Sequence, residues 1–214
     1  MDSPFDTLAA SYDAWYDSPK GQAIFAAEIA CIQALMPSFA GRWLEVGVGT
    51  GRFAAALGIH EGVDPSPDML ALAKRRGIAA SQGSAEKLPC TTGSYDGLLL
   101  ALTLCFIPAA PPALSECHRV LKPDGTLILA FVPGDTAWGR LYTAKKAAGH
   151  PLYSAATFLP LANIIAATEA AGFALRLSAG TLDGPAGTPP PTPAPLHIPA
   201  TAADSFIVLT FTAA

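Results

Sequence analysis

The sequence predicts an α/β fold built on a mostly parallel sheet, because short apolar segments alternate with segments of helical periodicity along the 214 residues. Seven short apolar segments have the length and composition of strands: residues 43–46, 59–63, 78–81, 95–100, 126–132, 173–181 and 205–212. Five other segments show helical spacing or helix-end signals: residues 21–36, 52–57, 67–76, 113–121 and 155–171. The apolar run at 126–132 is continuous, which is typical of a parallel strand covered on both faces.

Single residues mark where several of these elements end. Ser66 is a good N-cap, Pro67 suits the first helical position, and Gly77 suits the C-terminal stop of the same helix. Pro37 is expected to end the first helix, and residues 122–125 carry a turn signal. These signals place the helix ends more sharply than periodicity alone does.

Two segments interrupt the alternation of strands and helices. Residues 133–153 combine proline, glycine and aromatic residues, and residues 184–200 are rich in proline. A single strand follows the second segment, so it is predicted to be a stiff loop and not a linker between domains. The chain is therefore predicted to form a single domain over residues 1–214.

The charge pattern argues against a nucleic-acid partner. The formal net charge is -4, and only 14% of the residues are charged. The basic clusters at residues 74–76 and 145–146 are small and are expected to be solvated helix faces. No membrane span is predicted, because the most apolar stretch, residues 98–114, is short and is broken by prolines.

The cysteines and the N-terminus point to a cytoplasmic location. The chain has four cysteines without a C-x-x-C pair, so neither a metal site nor a redox dithiol is predicted. Scattered cysteines without disulfide spacing fit a reducing compartment. Residues 1–4 lack the basic start of a signal peptide.

A glycine-rich loop after the first predicted strand is the most informative motif. Gly47, Gly49 and Gly51 give the spacing G-x-G-x-G, whereas a dinucleotide site uses G-x-G-x-x-G. Glu45 precedes the loop and would repel a diphosphate, but it suits a ligand with a cationic ammonium. Asp64, at the end of the second strand, could accept hydrogen bonds from ribose hydroxyls. The alternative for Asp64 is an ordinary turn residue before a helix.

Five sequence blocks together resemble class I S-adenosylmethionine-dependent methyltransferases, most closely the branch that includes ubiquinone and menaquinone biosynthesis methyltransferases. The blocks are residues 44–52, 62–70, 83–89, 94–96 and 116–125. The resemblance implies a Rossmann-like three-layer sandwich with a seven-stranded, mostly parallel sheet whose last strand is antiparallel. It also implies S-adenosylmethionine as cofactor, a ligand with a sulfonium, an amino group and no phosphate.

The resemblance also implies roles for individual residues. The implied cofactor-binding residues are Tyr12, Glu45, Gly47, Val48, Gly49, Gly51, Asp64, Pro65, Met69, Ser84, Ala85, Glu86 and Leu102. Met69 would lie on the adenine or belong to the core, and the Ala85 N–H would face the adenine ring. Many relatives carry Asp where this chain has Ser84, so Glu86 is the candidate to replace that acceptor. Leu102 would line the methionine end of the ligand.

The methyl acceptor is less well defined by the sequence. The resemblance implies lid segments at residues 1–20 and 133–153, with a small-molecule acceptor between them and the cofactor. Methyl transfer by in-line displacement needs alignment more than acid or base groups. His150 and Tyr153 are the candidate catalytic residues, and a surface or helix-capping role is the favoured alternative for His150. Cys105 lacks the Pro-Cys context of a methylation nucleophile.

Two other functions stay open at the level of the sequence. One is a catalytically silent domain that binds S-adenosylmethionine, and the other is a nicotinamide-dependent oxidoreductase. The acceptor atom and the oligomeric state are not defined by any motif.

Overall fold

The computed structural model describes residues 4–36 and 41–213, which form one sheet of seven strands covered by helices. The strands are β1 (Trp43–Val46), β2 (Glu61–Asp64), β3 (Ala79–Gln82), β4 (Tyr95–Ala101), β5 (Leu121–Phe131), β6 (Phe173–Thr181) and β7 (Phe206–Ala213). The helices are α1 (Pro4–Trp15), α2 (Pro19–Leu35), α3 (Arg52–Leu57), α4 (Pro67–Arg75), α5 (Ala110–Val120), α6 (Ala137–Ala147) and α7 (Leu161–Ala170). Short 3₁₀ turns occur at Leu104–Phe106 and Tyr153–Ala155.

The sheet has the predicted pattern of strand directions. Its order is β3-β2-β1-β4-β5-β7-β6, and β1 to β5 pair in parallel with their neighbours. β7 is antiparallel to both β5 and β6. The predicted fold class, a mostly parallel seven-stranded sheet with an antiparallel last strand, is confirmed.

Both faces of the sheet are buried, which gives the three layers. Successive residues of a strand point to opposite faces, so Leu98 and Leu99 of β4 belong to different core clusters. Ile32 of α2 and Phe53 of α3 pack in the same cluster as Leu99. Leu114 of α5 packs with Leu98 on the other face. Continuous apolar runs are the expected sequence of such strands.

Helix ends follow the predicted signals in part. The Ser66 side chain accepts a hydrogen bond from Met69 N, which confirms the predicted N-cap of α4. α5 begins at Ala110, three residues before the predicted start, because prolines are tolerated in the first turn of a helix. α7 begins at Leu161 and not at 155, because the preceding residues form a 3₁₀ turn and Pro160 takes the N-cap position. Pro37 lies outside the described residues.

Three elements differ from the sequence-based expectation. α1 and α6 were not predicted as helices, although their segments were singled out as lids. Residues 122–125 are not a turn between α5 and β5 but an irregular part of β5, where Asp124 has φ 60°. The register of β5 against β4 shifts there, so the turn-forming residues produce a bulge.

The proline-rich segment 184–200 contains no strand, as predicted, and is joined to the sheet at β6. Gly180 and His197 exchange backbone hydrogen bonds of 2.9 Å in an isolated bridge. The Asp204 carboxylate accepts from His197 Nδ1 at 2.7 Å and from Thr201 N at 2.7 Å. In the part of the chain that the structure describes, no helix is long and apolar enough to cross a membrane.

Candidate active site

The carboxyl ends of β1, β2 and β4 meet at one edge of the sheet and border a cavity of about 170 Å³. Gly47 and Gly49 follow β1, Asp64 ends β2, and Leu102 follows β4. Ligand sites of open α/β sheets occur at this edge, where adjacent loops leave a crevice. The predicted glycine loop and Asp64 are therefore brought together at one place.

The three glycines of the loop meet different steric demands. Each has a positive φ, at 73° for Gly47, 50° for Gly49 and 80° for Gly51. A Cβ on Gly47 would lie 2.2 Å from Thr103 Cγ2, and a Cβ on Gly51 would lie 3.0 Å from Ala73 Cα. A Cβ on Gly49 would meet no atom within 4 Å. Packing thus requires Gly47 and Gly51, whereas Gly49 borders open space.

Asp64 holds the glycine loop against the start of α4. Its Oδ2 accepts a hydrogen bond from Gly49 N at 2.9 Å, and its Oδ1 accepts from Ser66 N at 2.9 Å. Burial raises the pKa of this carboxyl, and the two backbone hydrogen bonds oppose that rise. Asp64 is thus a turn residue before a helix and also a wall of the cavity.

Most of the predicted cofactor residues line this cavity. They are Tyr12, Gly47, Gly49, Asp64, Pro65, Met69, Ser84, Ala85, Glu86 and Leu102. Glu45, Val48 and Gly51 do not line it. Val48 is a core residue, and its side chain lies where a Cβ on Gly62 would be.

Glu45 is a buried acid beside the loop. Its Oε2 has no hydrogen-bond partner among the described residues. Burial raises its pKa well above the usual range. A buried oxygen in this state is costly unless a ligand, a water or a proton satisfies it.

The charges of the cavity disfavour a diphosphate ligand. Among the lining residues, all of which are described, the charged side chains are Asp64 and Glu86, and both are acidic. Arg52 follows the loop but turns away from the cavity, since its Nε donates to Asp13 Oδ1 at 2.8 Å. A pyrophosphate would find no cation here, whereas a positively charged ligand is favoured.

A second cavity of about 390 Å³ adjoins the first. Tyr12, Leu102 and Phe106 line both cavities. Leu102 has φ 55°, a conformation that is costly for a residue with a side chain and that concentrates at functional sites. The two cavities therefore meet at a shared, strained wall.

The predicted lid segments line the second cavity. Residues from α1 and the start of α2 form one side, and residues from α6 and 150–153 form another. His150 and Tyr153, the candidate catalytic residues, lie here with their rings 4.8 Å apart, and His150 is exposed. Neither residue lines the first cavity. Residues 1–3 of the predicted lid lie outside the described residues.

Cys105 also lines the second cavity. Burial raises the pKa of its thiol to about 12, and its Sγ lies 3.5 Å from the Leu102 carbonyl oxygen. The thiol is therefore protonated at neutral pH and is a poor nucleophile.

Ion pairs tie α1 to the loop side of the sheet. Asp13 accepts from Arg52 at the start of α3 and from Arg76 at the end of α4, at 2.8 and 2.7 Å. Burial alone would raise the pKa of Asp13, but the hydrogen bonds from both arginines outweigh it and lower the pKa to about 2. The Ser66 hydroxyl adds a hydrogen bond of 2.6 Å to Asp6.

Comparison with known proteins identifies the family of this chain. Residues 44–129 match the methyltransferase domain family. A solved structure from Thermotoga maritima, a SAM-dependent methyltransferase described as a possible histamine N-methyltransferase, superposes with a TM-score of 0.89. It is 31% identical, over 99% of this chain and 98% of that one. This chain belongs to the S-adenosylmethionine-dependent methyltransferases.

Relatives among curated proteins share most of this methyltransferase. An uncharacterized Mycobacterium tuberculosis protein is 40% identical over 179 residues, which is 84% of this chain. The methyltransferase spans 63% of that relative's length. An uncharacterized protein of Methanocaldococcus jannaschii is 35% identical over 79% of this chain and 80% of its own length. A ubiquinone/menaquinone biosynthesis C-methyltransferase of Rubrivivax gelatinosus is 38% identical over 87 residues.

The cavity of this methyltransferase fits S-adenosylmethionine, the cofactor of the family. The ligand carries positive charge and no phosphate, and the charged lining residues are acidic. The open space at Gly49 gives the ligand close access to the backbone. Among residues 4–36 and 41–213, no cluster of three metal-ligating side chains is found.

Proposed function

We propose that this methyltransferase transfers a methyl group to a small molecule bound in the 390 Å³ cavity. One observation carries the proposal: the two cavities share Tyr12, Leu102 and Phe106. A cofactor in the first cavity and an acceptor in the second would therefore face each other across this wall. The volume of the second cavity lies in the range of small-molecule sites.

The proposed cofactor contacts are the predicted residues that line the first cavity. Each Asp64 oxygen accepts one backbone hydrogen bond, which leaves acceptor capacity for ribose hydroxyls. Ser84, Ala85 and Glu86 form the wall for the adenine, with Ser84 and Glu86 as acceptors for its amino group. Glu45, Val48 and Gly51 support the loop instead, and Glu45 reaches the ligand only through water.

Alignment is the main catalytic contribution of the proposed site. S-adenosylmethionine, when bound, supplies a methyl group on a positively charged sulfur that is ready for in-line displacement. The described parts of the lid segments, residues 4–20 and 133–153, exclude water and orient the acceptor. Burial raises the pKa of Tyr153 to about 12, so Tyr153 serves as a hydrogen-bond donor, and His150 is the better candidate to accept a proton.

Several observations support a small acceptor over a macromolecule. Many aromatic side chains line the second cavity, and the net charge of -4 does not favour nucleic acid. The Thermotoga relative is described as a possible histamine N-methyltransferase, and histamine is a small molecule. The four cysteines are free thiols, which supports a cytoplasmic location.

Labelled S-adenosylmethionine tests the proposal. Purified protein is incubated with methyl-labelled cofactor and a metabolite extract, a protein extract or nucleic acid, and the label is followed into each fraction. We expect label in the low-mass fraction. Label in protein or nucleic acid contradicts the proposal, and cofactor binding without any transfer would favour the silent domain.

A matched pair of variants locates the acceptor. Ser11 of α1 lines the second cavity, whereas Ala14, one turn further, is exposed and does not line it. Ser11→Trp should block transfer while S-adenosylhomocysteine still binds, and Ala14→Trp should leave both unchanged. Equal transfer by both variants would place the acceptor elsewhere.

A further inference from the structure

An unpaired carboxyl group lies in the wall of the second cavity. Glu28 of α2 is only 4% exposed, and its Oε2 has no hydrogen-bond partner among the described residues. The ion pairs of the described chain do not include Glu28. Its neighbours along the helix face, Ile24 and Ile32, are buried apolar residues. Nothing in this helix face needs an acid for packing, and an unmatched buried carboxyl costs stability.

Aromatic rings line the same cavity as this carboxyl group. Tyr12, Tyr16, Trp138, Tyr142 and Tyr153 line the same cavity. Burial raises the pKa of Tyr12, Tyr16, Tyr142 and Tyr153, and the charge of Glu28 adds to the rise in each. Rings around a single acidic group form the type of site that binds ammonium ions, through cation–π contacts and, once the acid is ionised, an ion pair.

The cavity already places a cation against its rings. Lys145 Nζ lies 5.7 Å from the Tyr142 centroid and 5.8 Å from the Tyr153 centroid. Burial lowers the pKa of Lys145, and repulsion from Lys20 lowers it further, so the two lysines lie near each other. Lys20 donates to the Gly187 carbonyl oxygen and stands eight residues before Glu28, about 12 Å along α2. The cavity therefore has a basic side and a separate acidic side.

We infer that the acceptor is an amine bound as an ammonium ion, with its charge against Glu28 and its carbon skeleton against the aromatic rings. The inference rests on the proposed function, because it assigns the chemistry of the acceptor for the second cavity. The lysines provide the competing expectation, an anionic acceptor. Glu28 is favoured because it is buried and unpaired, whereas Lys20 and Lys145 already have partners.

The inference predicts that Glu28 loses a proton when the amine binds and regains one before methyl transfer. Burial raises the pKa of Glu28 to about 8, so the empty cavity holds mostly a neutral acid at pH 7. An ammonium that pairs with Glu28 displaces this proton to solvent. The net charge of the site is unchanged, because the positive ammonium offsets the negative carboxylate. Before transfer to nitrogen, the ammonium returns a proton to the Glu28 carboxylate, which leaves a neutral amine with a free lone pair. That proton leaves when the next ammonium binds.

Other titratable groups face the cavity, and controls must distinguish them from Glu28 as the source of the released proton. They are Tyr12, Tyr16, Lys20, Cys105, Tyr142, Lys145, His150 and Tyr153, with Cys31 near Glu28 in the core. Burial raises the pKa of the tyrosines and cysteines, so these groups stay protonated at pH 7. His150 lines the same cavity, so proton release is assigned to Glu28 only by comparison with the Glu28→Gln variant.

Three probes with one skeleton and three charges test the inference by titration calorimetry, with S-adenosylhomocysteine bound. The probes are phenethylamine, phenethyl alcohol and 3-phenylpropionate. We expect the amine to bind at least about tenfold more tightly than the alcohol, as for a hydrogen bond to a charged group. Titration in buffers of different ionisation enthalpy should show nearly one proton released per amine at pH 7.

Matched variants separate charge from packing. Glu28→Gln should lower amine affinity about tenfold or more, abolish proton release and leave the alcohol unchanged. Glu169→Gln, an exposed site on α7, should change neither. Tyr153→Leu should weaken amine binding about two- to fivefold, because the variant removes a ring that lines the cavity. Melting temperature and S-adenosylhomocysteine affinity verify that each variant is folded.

The outcomes are distinguishable from those of the proposed function. Tightest binding of 3-phenylpropionate overturns the inference in favour of the lysines. Equal binding of amine and alcohol, unchanged binding in Glu28→Gln, or no binding of any probe also overturns it. The proposed function is decided separately, by label transfer into small molecules and by the Ser11→Trp variant.

Discussion

The conformation of Gly49 allows a substitution whose effects on folding and on binding can be separated. Gly49→Ala places a methyl group on a residue with φ 50°. The left-handed backbone costs a residue with a side chain about 1–2 kcal/mol. For a chain of this size, that free energy corresponds to a fall in melting temperature of about 2–8 °C. Because no atom lies within 4 Å of the added Cβ, strain is the only cost in the free protein.

We expect a larger cost in the complex, because Gly49 lines the cavity proposed for the cofactor and the added methyl group would enter that space. The cavity measures about 170 Å³, so a ligand that fills it must shift or leave. Overpacking of this kind costs about 1–3 kcal/mol, which corresponds to a roughly 5- to 150-fold loss of affinity. Titration calorimetry with S-adenosylhomocysteine measures this loss. Gly49→Val, with a larger side chain, should abolish binding.

Gly58 provides the matched control. It has φ 71°, an added Cβ would also meet nothing within 4 Å, and it ends α3 away from the cavity. Gly58→Ala should lower the melting temperature by a similar amount and leave cofactor affinity unchanged. If both variants bind the ligand equally well, the space beside Gly49 does not hold the cofactor and the reasoning fails.

Three further predictions concern charges and thiols. Asp64→Ala should weaken S-adenosylhomocysteine binding by about 1–3 kcal/mol in calorimetry, and unchanged affinity would refute the ribose contact. The lowered pKa of Asp13, about 2, means that its pairing stabilises the fold above pH 4 and that this stability is lost as the pH falls toward 2. The free energy of unfolding of Asp13→Asn, measured in urea, should therefore be about 2–3 kcal/mol lower than that of the parent at pH 7. This difference in stability should become smaller in acid, and a difference that stays constant with pH would contradict the pairing. Iodoacetamide mapped by mass spectrometry should modify Cys90 first, because burial raises the pKa of the other three thiols to about 12.

Much of the sheet was predictable because its strands are nearly continuous apolar runs. The Phe173–Thr181 strand and the Arg52–Leu57 helix have the predicted bounds. α1 and α6 were not predictable in this way. Many of their large side chains face the second cavity and not the core, so their apolar residues do not follow a clean helical period.

The site was predictable in its position more than in its detail. The spacing of the glycines locates the loop, but the direction of each Cβ depends on local φ and on neighbours distant in sequence. Gly51 therefore packs against Ala73 and not the cavity. Glu28 was overlooked, although it shares the buried helix face of Ile24 and Ile32 at four-residue spacing. An acidic residue on a buried, apolar helix face indicates either an ion-pair or hydrogen-bond partner within the protein, or a ligand.

The common wall of the two cavities links their occupants energetically. Tyr12 belongs to α1, which Asp13 fastens to the ends of both helices beside the glycine loop. A ligand that shifts this helix on one side must alter the fit on the other. Thermodynamic linkage makes the effect mutual: whatever factor the first ligand contributes to the affinity of the second, the second returns to the first.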